Sequence, residues 1–386
     1  MATTATVPAP PRVAAGIPGY VIAALVAAVS VIVGVIWDIS WHRTIGRDTF
    51  WTPAHMAIYL GGVLAGGACG WLVLRTTFAG TTAERDAGVR FWGFRGPLGA
   101  WVCIWGAIAM ITSAPFDNWW HNAYGLDVKV LSPPHALLAA GFVGIQLGAL
   151  LLLAARQGAA RADDTRAWLY QVMFASAAGL LVATASIFAF EQVGFPNQAH
   201  NGQYYKICAG IFPILLFATA RASRLKWPAT TAAASYMVIN IVMILTLPLF
   251  AATPKLAPIY NALDSFVPPP FPVLLVIPAI AIDLVMRRGP ENDWARAALG
   301  GIAFIAVLFA VQWFFALYLV SPQSENALFG VQRWSYFNTL GPWRYEFWGI
   351  RADPVTPPGL VIAVAIAVAS ARLGLWWGAW MARVRR

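Results

Sequence analysis

The sequence predicts an all-α protein, a polytopic helical bundle embedded in a membrane, and three observations carry that expectation. Of its 386 residues 59% are apolar and only 11% charged, with a mean hydropathy of +0.65. A soluble domain runs near half apolar and a quarter charged. The apolar residues fall in stretches of about 20, the length needed to cross the hydrocarbon core of a bilayer. Most of the 26 Lys and Arg then cluster in alternate connections between those stretches.

Taken in order, residues 1–16 form an Ala/Thr/Pro-rich tail with one charge, Arg12, expected to be disordered and unlike a signal peptide. Ten spans follow, at roughly 17–37, 55–74, 97–115, 135–155, 168–190, 206–220, 229–250, 271–286, 297–320 and 359–380. The sixth and eighth are short, and the tenth carries Arg372, whose stem can snorkel to the nearer interface. The basic clusters Arg85/Arg90/Arg95, Arg221/Arg224/Lys226 and Arg287/Arg288 would lie with both termini in the cytoplasm. That orientation fits a bacterial plasma membrane. It also explains the net charge of +10 as a topology signal and gives no reason to expect nucleic acid. Cys69, Cys103 and Cys208 lie in apolar runs and read as packing residues. The opposite connections are rich in aromatics, as in Trp334-Ser335-Tyr336-Phe337 and Trp343–Trp348, an interfacial belt by default. The longest of them, about 321–357, is also a candidate to cover a site or dock a partner.

The polar residues are scarce enough to follow singly, and four of the five histidines fall in a duplicated motif. The first copy reads Trp37-Asp38-Ile39-Ser40-Trp41-His42, continues through Gly46 and Asp48, and reaches Pro53-Ala54-His55. Asp38, Trp41, His42, Gly46 and Asp48 recur 79 residues later as Asp117, Trp120, His121, Gly125 and Asp127. Pro53 and His55 recur 80 residues later as Pro133 and His135. Residues 17–155 therefore read as a unit of two similar helical hairpins, and 156–386 as further spans of unassigned role.

The spacing has chemical content. Asp and His at i and i+4 share one helix face, so Asp38/His42 and Asp117/His121 can converge on a point. Gly46 and Gly125 allow a tight change of direction. Pro53 and Pro133 suit the first turn of a helix, where a missing N–H costs nothing. His55 and His135 then open the returning helix. Two imidazoles and one carboxylate are a metal-site signature, and imidazole suits iron, copper and zinc alike. A hydrogen-bonded turn kept from a duplication and a proton relay are the alternatives. Asp48 and Asp127 would orient a ligating histidine, serve as extra ligands, or be plain loop carboxylates. Trp41 and Trp120 would pack at the interface and shield the site from water.

The stretch from Asp38 through His42 and Thr44-Ile45-Gly46-Arg47-Asp48-Thr49 to Thr52-Pro53-Ala54-His55 resembles the C subunit of the particulate methane and ammonia monooxygenases, over roughly residues 30–150. The resemblance implies that Asp38, His42 and His55 are copper ligands at a catalytic centre. It also carries His121 and His135 to a second site, where Asp117 stands in place of that family's Asn. Because the family works as an assembly, the resemblance implies other monooxygenase subunits or a homo-oligomer as partners, beside the lipid bilayer. The expectation is a copper-dependent membrane monooxygenase or a subunit of one, activating O2 and oxidising a small apolar substrate. The alternative is a membrane metal-binding or metal-transport protein without oxygenase chemistry. Elsewhere, His200 is a candidate further ligand or relay, and Asp283 a candidate i,i+4 partner of Arg287. No phosphate loop, nucleophile elbow or zinc-protease helix is present.

Overall fold

A computed structural model describes residues 16–47, 49–125, 132–160, 166–330, 333–338 and 353–384. The expected tail lies almost wholly outside them, as do Asp48, Asp127 and Trp343–Trp348. Helices α1 (Gly19–Thr44) and α2 (Pro53–Ala79) form the first hairpin. Helix α3 (Thr82–Ala87) and the antiparallel strands β1 (Val89–Phe91) and β2 (Phe94–Gly96) lead into a second hairpin, α4 (Leu98–Tyr124) and α5 (Pro133–Ala159). Then come α6 (Ala167–Phe188), the short α7 (Phe190–Val193), α8 (Gly202–Ala222), α9 (Pro228–Thr246), α10 (Val276–Arg288), α11 (Asp293–Leu319) and α12 (Pro357–Met381). The chain is thus an all-α polytopic bundle, and among the described residues nine helices are long and apolar enough to cross a membrane. Val63, Trp71, Phe78, Ile111 and Phe314 are exposed on those helices, which suits contact with lipid.

The eighth expected span is corrected. Helix begins only at Val276, giving α10 13 residues, because Pro268, Pro269, Pro270 and Pro272 lack amide donors and force their predecessors into extended backbone. The passage is still completed. The Val267 amide donates to Thr44 Oγ1 at the end of α1, while the Arg287 guanidinium lies over the Trp227 ring beside the start of α9. An extended half and a helical half together run from the hinge end of the bundle to the start of α9.

Helix α1 packs on α2 and α5, α4 on α2 and α5, closing a four-helix ring with both hinges at one end. This ring has its own core, including Val31, Ile58, Cys69, Cys103, Met110 and Ile145. The other faces of α1 and α5 join a larger core with the rest of the chain, through residues such as Ile32, Leu153, Phe174, Phe212 and Phe304. All three cysteines are free and buried, as expected for packing residues.

Small residues set the helix separations. A Cβ on Gly61 would lie 2.8 Å from the Ala27 carbonyl oxygen, and one on Gly106 would lie 2.7 Å from the Ile145 nitrogen. One on Gly378 would lie 2.5 Å from the Ala218 carbonyl oxygen. Close backbone approach of this kind is how helices gain dispersion energy where lipid removes the hydrophobic drive.

Asp283 does not close the expected ion pair with Arg287. It is buried, and its carboxylate accepts the Ala229 and Thr230 amides at 3.1 and 2.8 Å and the Thr230 hydroxyl at 2.7 Å. A carboxylate borrowed from α10 therefore caps the first turn of α9, where amides lack intrahelical partners and the helix dipole favours negative charge.

The glycine contacts give a direct test. Gly106→Ala should lower stability by about 1–3 kcal/mol, since backbone must move to admit the methyl group. Gly67→Ala, with open space around it, should leave thermal unfolding in detergent unchanged.

Candidate metal centre

The first hinge is built from the last two turns of α1 and the first turn of α2. Helix α1 runs past the expected end at 37, so Asp38 and His42 sit one turn apart on its surface. The helix stops where Gly46 adopts φ +88°, a left-handed conformation that favours glycine. Thr52 then caps α2, its hydroxyl accepting the His55 amide at 3.2 Å, with Pro53 in the first helical position. This brings His55 back over α1. His55 Nε2 lies 3.2 Å from Asp38 Oδ1, and His42 Nε2 lies 3.8 Å from Asp38 Oδ2.

The second hinge repeats each device. Asp117 and His121 occupy the end of α4, Gly125 takes φ +86°, and Ser132 caps α5 by accepting the His135 amide at 3.4 Å. His121 Nε2 is 3.4 Å from Asp117 Oδ2, and His135 Nε2 is 3.6 Å from Asp117 Oδ1. In both copies one carboxylate is shared between two imidazoles. All six residues singled out by the repeat are brought together, three and three.

Proton placement is constrained at one histidine in each copy. His55 Nδ1 is 3.0 Å from the Thr49 carbonyl, and His121 Nδ1 is 3.2 Å from the Gly125 carbonyl. A carbonyl only accepts, so each Nδ1 must carry a hydrogen. If the ring is neutral, its Nε2 lone pair then faces a carboxylate oxygen. Two acceptors at that separation need a proton or a cation between them. A backbone carbonyl holding the far nitrogen is the usual support of a metal-binding histidine.

Donors bound about 2.0–2.2 Å from one ion stand about 3–4 Å from each other, so the separations within each pair suit a shared ion. Oδ1 of Asp38 and Oδ1 of Asp117 are buried and accept no hydrogen bond. The pairs are not drawn into a closed cage, however. Among the described residues no group of three or more His, Cys, Asp or Glu is arranged to hold a metal ion as it stands.

The surroundings of the two hinges differ. Ser40 and Arg43 donate to the carbonyls of Val267 and Pro268, and Arg43 also donates to the Ser335 hydroxyl at 3.0 Å. The Tyr336 amide donates to the Arg43 carbonyl, so part of the long 321–357 connection covers this hinge. The corresponding residues of the second copy, Trp119, Asn122 and Ala123, are exposed. Trp41 is half-buried on Phe266 with its indole N–H donating to the Arg47 carbonyl, whereas Trp120 packs on Tyr124 at 4.5 Å.

His200 is not gathered into either hinge. It is buried against α11, its ring stacked 3.6 Å from that of Trp313 and its Nε2 donating to the Trp313 carbonyl at 3.1 Å. Burial pushes this imidazole below its ordinary 6.5, against the opposing pull of that carbonyl. Sequence reasoning missed the caps Thr52 and Ser132 as positioning residues. The signal was available, since a Ser or Thr directly before Pro, with the His two residues further on, is a helix-start pattern.

Two outcomes are expected. Thr52→Val and Ser132→Ala should each cost about 1 kcal/mol of stability through loss of the cap. For His200, the unfolded chain takes up a proton before the folded one as pH falls through 6.5. Its contribution is therefore present in full above that pH and is lost as pH falls toward the lower folded value. His200→Gln should flatten the melting temperature between pH 7 and pH 5. No family model matches the chain, and neither a curated protein nor a solved structure matches it.

Proposed function

We propose that each hinge binds one transition-metal ion, copper before iron or zinc, through Asp38, His42 and His55 and through Asp117, His121 and His135. On this reading the chain is a membrane oxygenase, or the metal-bearing subunit of one, that oxidises a small apolar substrate. One observation carries it. In both copies the same carboxylate oxygen, Oδ1, is buried without a hydrogen bond and faces Nε2 of the histidine on the returning helix. A buried acceptor left unmatched costs about 1–3 kcal/mol, and a bound cation relieves it twice over.

Copper, when bound, would supply the activation of O2. The chain's own residues do the rest. Asp38 and Asp117 offset the ion's charge, the Thr49 and Gly125 carbonyls hold two imidazoles in the ligating tautomer, and Thr52 and Ser132 fix the helix starts. Exposed apolar helix faces give a small apolar substrate a route from lipid. The reading places the hinges outside a bacterial plasma membrane with both termini in the cytoplasm, in keeping with the basic clusters at the other face. Partner subunits or a second copy would bring electrons, for which this chain has no evident carrier among the described residues.

A second reading, metal binding or transport without oxidation, is favoured by the open arrangement of the pairs. Loosely paired ligands suit a site that loads and releases. Substrate-dependent O2 uptake would support the first reading; metal uptake into proteoliposomes would support the second.

Metal content of the purified protein tests what both readings share. Asp38→Ala and Asp117→Ala should each remove about half of the bound metal, and the double variant nearly all of it. Equal metal in the double variant and the wild type would sink the assignment and leave a protonated imidazole–carboxylate network in its place.

A further inference from the structure

The polar groups of the broken passage can be followed one by one. At its start, the Val267 amide donates to Thr44 Oγ1, Ser40 donates to the Val267 carbonyl and Arg43 to the Pro268 carbonyl. At its end, the Val273 amide donates to the Tyr236 hydroxyl at 3.1 Å and the Leu274 amide to Gln312 Oε1 at 3.1 Å. Between them the carbonyls of Pro269, Pro270, Phe271 and Pro272 receive no hydrogen bond from any described residue. Irregular backbone at membrane depth is tolerated where it is buried in protein or lines a water-filled cavity.

A cavity is present here. Residues 269–273 form one wall, Ser186, Tyr236 and Asn240 add polar atoms, and Ile36, Ile39 and Ile187 supply an apolar wall. Its volume is about 40 Å³. At roughly 10–15 Å³ for each water-sized guest, that admits a molecule of three or so heavy atoms. One hydroxyl hydrogen and one amide hydrogen of these side chains are committed, against four backbone carbonyls that accept none from a described residue. Ser186 and Tyr236 pair with each other at 3.3 Å, and Asn240 Nδ2 donates to the Tyr236 carbonyl at 2.9 Å. The lining is therefore rich in free acceptors. Among the described residues no Asp or Glu lines it, and the Arg43 guanidinium on the neighbouring Pro268 carbonyl opposes a cation.

We propose that this cavity is a binding site for a small neutral molecule with a hydrogen-bond-donating end and a short apolar body, the class of the short-chain alcohols. The donor end meets the proline carbonyls and Asn240; the apolar body lies against the isoleucines. The site uses a different face of α1 from Asp38 and His42 and stands independently of metal at the hinges.

The test uses the full-length protein in nanodiscs and saturation-transfer NMR with ethanol. The comparison is its isomer dimethyl ether, which has the same three heavy atoms and no hydrogen to donate. Ethanol should bind at least fivefold more tightly than dimethyl ether, about the worth of one hydrogen bond. Ile187→Trp, which fills the cavity, should abolish the difference, and Asn240→Leu should reduce it, with thermal melts confirming that both variants fold. Equal transfer to the two probes would overturn the proposal. So would ethanol transfer unchanged in folded Ile187→Trp.

Discussion

Every backbone amide and carbonyl in an apolar medium must find a partner inside the protein, and this constraint shapes the molecule. The nine long helices among the described residues meet it largely within themselves. The proline run at 268–272 cannot, since prolines have no amide to give and their carbonyls no helix to join. Partners are lent from outside at its two ends only: Ser40, Arg43 and Thr44 on α1 serve Val267 and Pro268, while Tyr236 on α9 and Gln312 on α11 serve Val273 and Leu274. The run thereby stitches the later helices to the end of α1. Asp283 does the same service for the first turn of α9 at the other face.

The two hinges show how little sequence is needed to build a paired site once the frame is set. A helix end supplies Asp and His one turn apart, a left-handed glycine turns the chain, and a capped, proline-started helix returns the second His. In each copy the three side chains come from a single hairpin. Their settings do depend on distant residues, because the first hinge lies under segments more than 200 residues away in the chain.

That division also decides what could be read before the structure. The membrane bundle, the paired hairpins and the meeting of Asp38 with His42 and His55 follow from local periodicity and a repeat of fixed spacing. Hydropathy places the eighth span at 271–286 because Phe271 and Val273–Ile277 are apolar, and it does not register the amides missing at the prolines around them. The Asp283–Arg287 pairing failed for the opposite reason. The i,i+4 rule describes an isolated helix, whereas the N-terminus of α9 offers that carboxylate two amides and a hydroxyl at once. The clamp of Ser40 and Arg43 onto 267–268 joins residues that no local pattern relates. Asp48 and Asp127, whose roles the sequence left open, lie outside the described residues.

The turn glycines carry an evolutionary consequence. Among the described residues none comes within 4 Å of a Cβ built on Gly125, where the backbone conformation is the restriction seen. At Gly46 a Cβ would lie 2.5 Å from the Tyr336 hydroxyl, so the same change meets both a conformational and a steric barrier. Two copies that began alike thus have unequal freedom to drift. The first is held by Tyr336 and the segment at 267–268; the second has no such neighbour among the described residues.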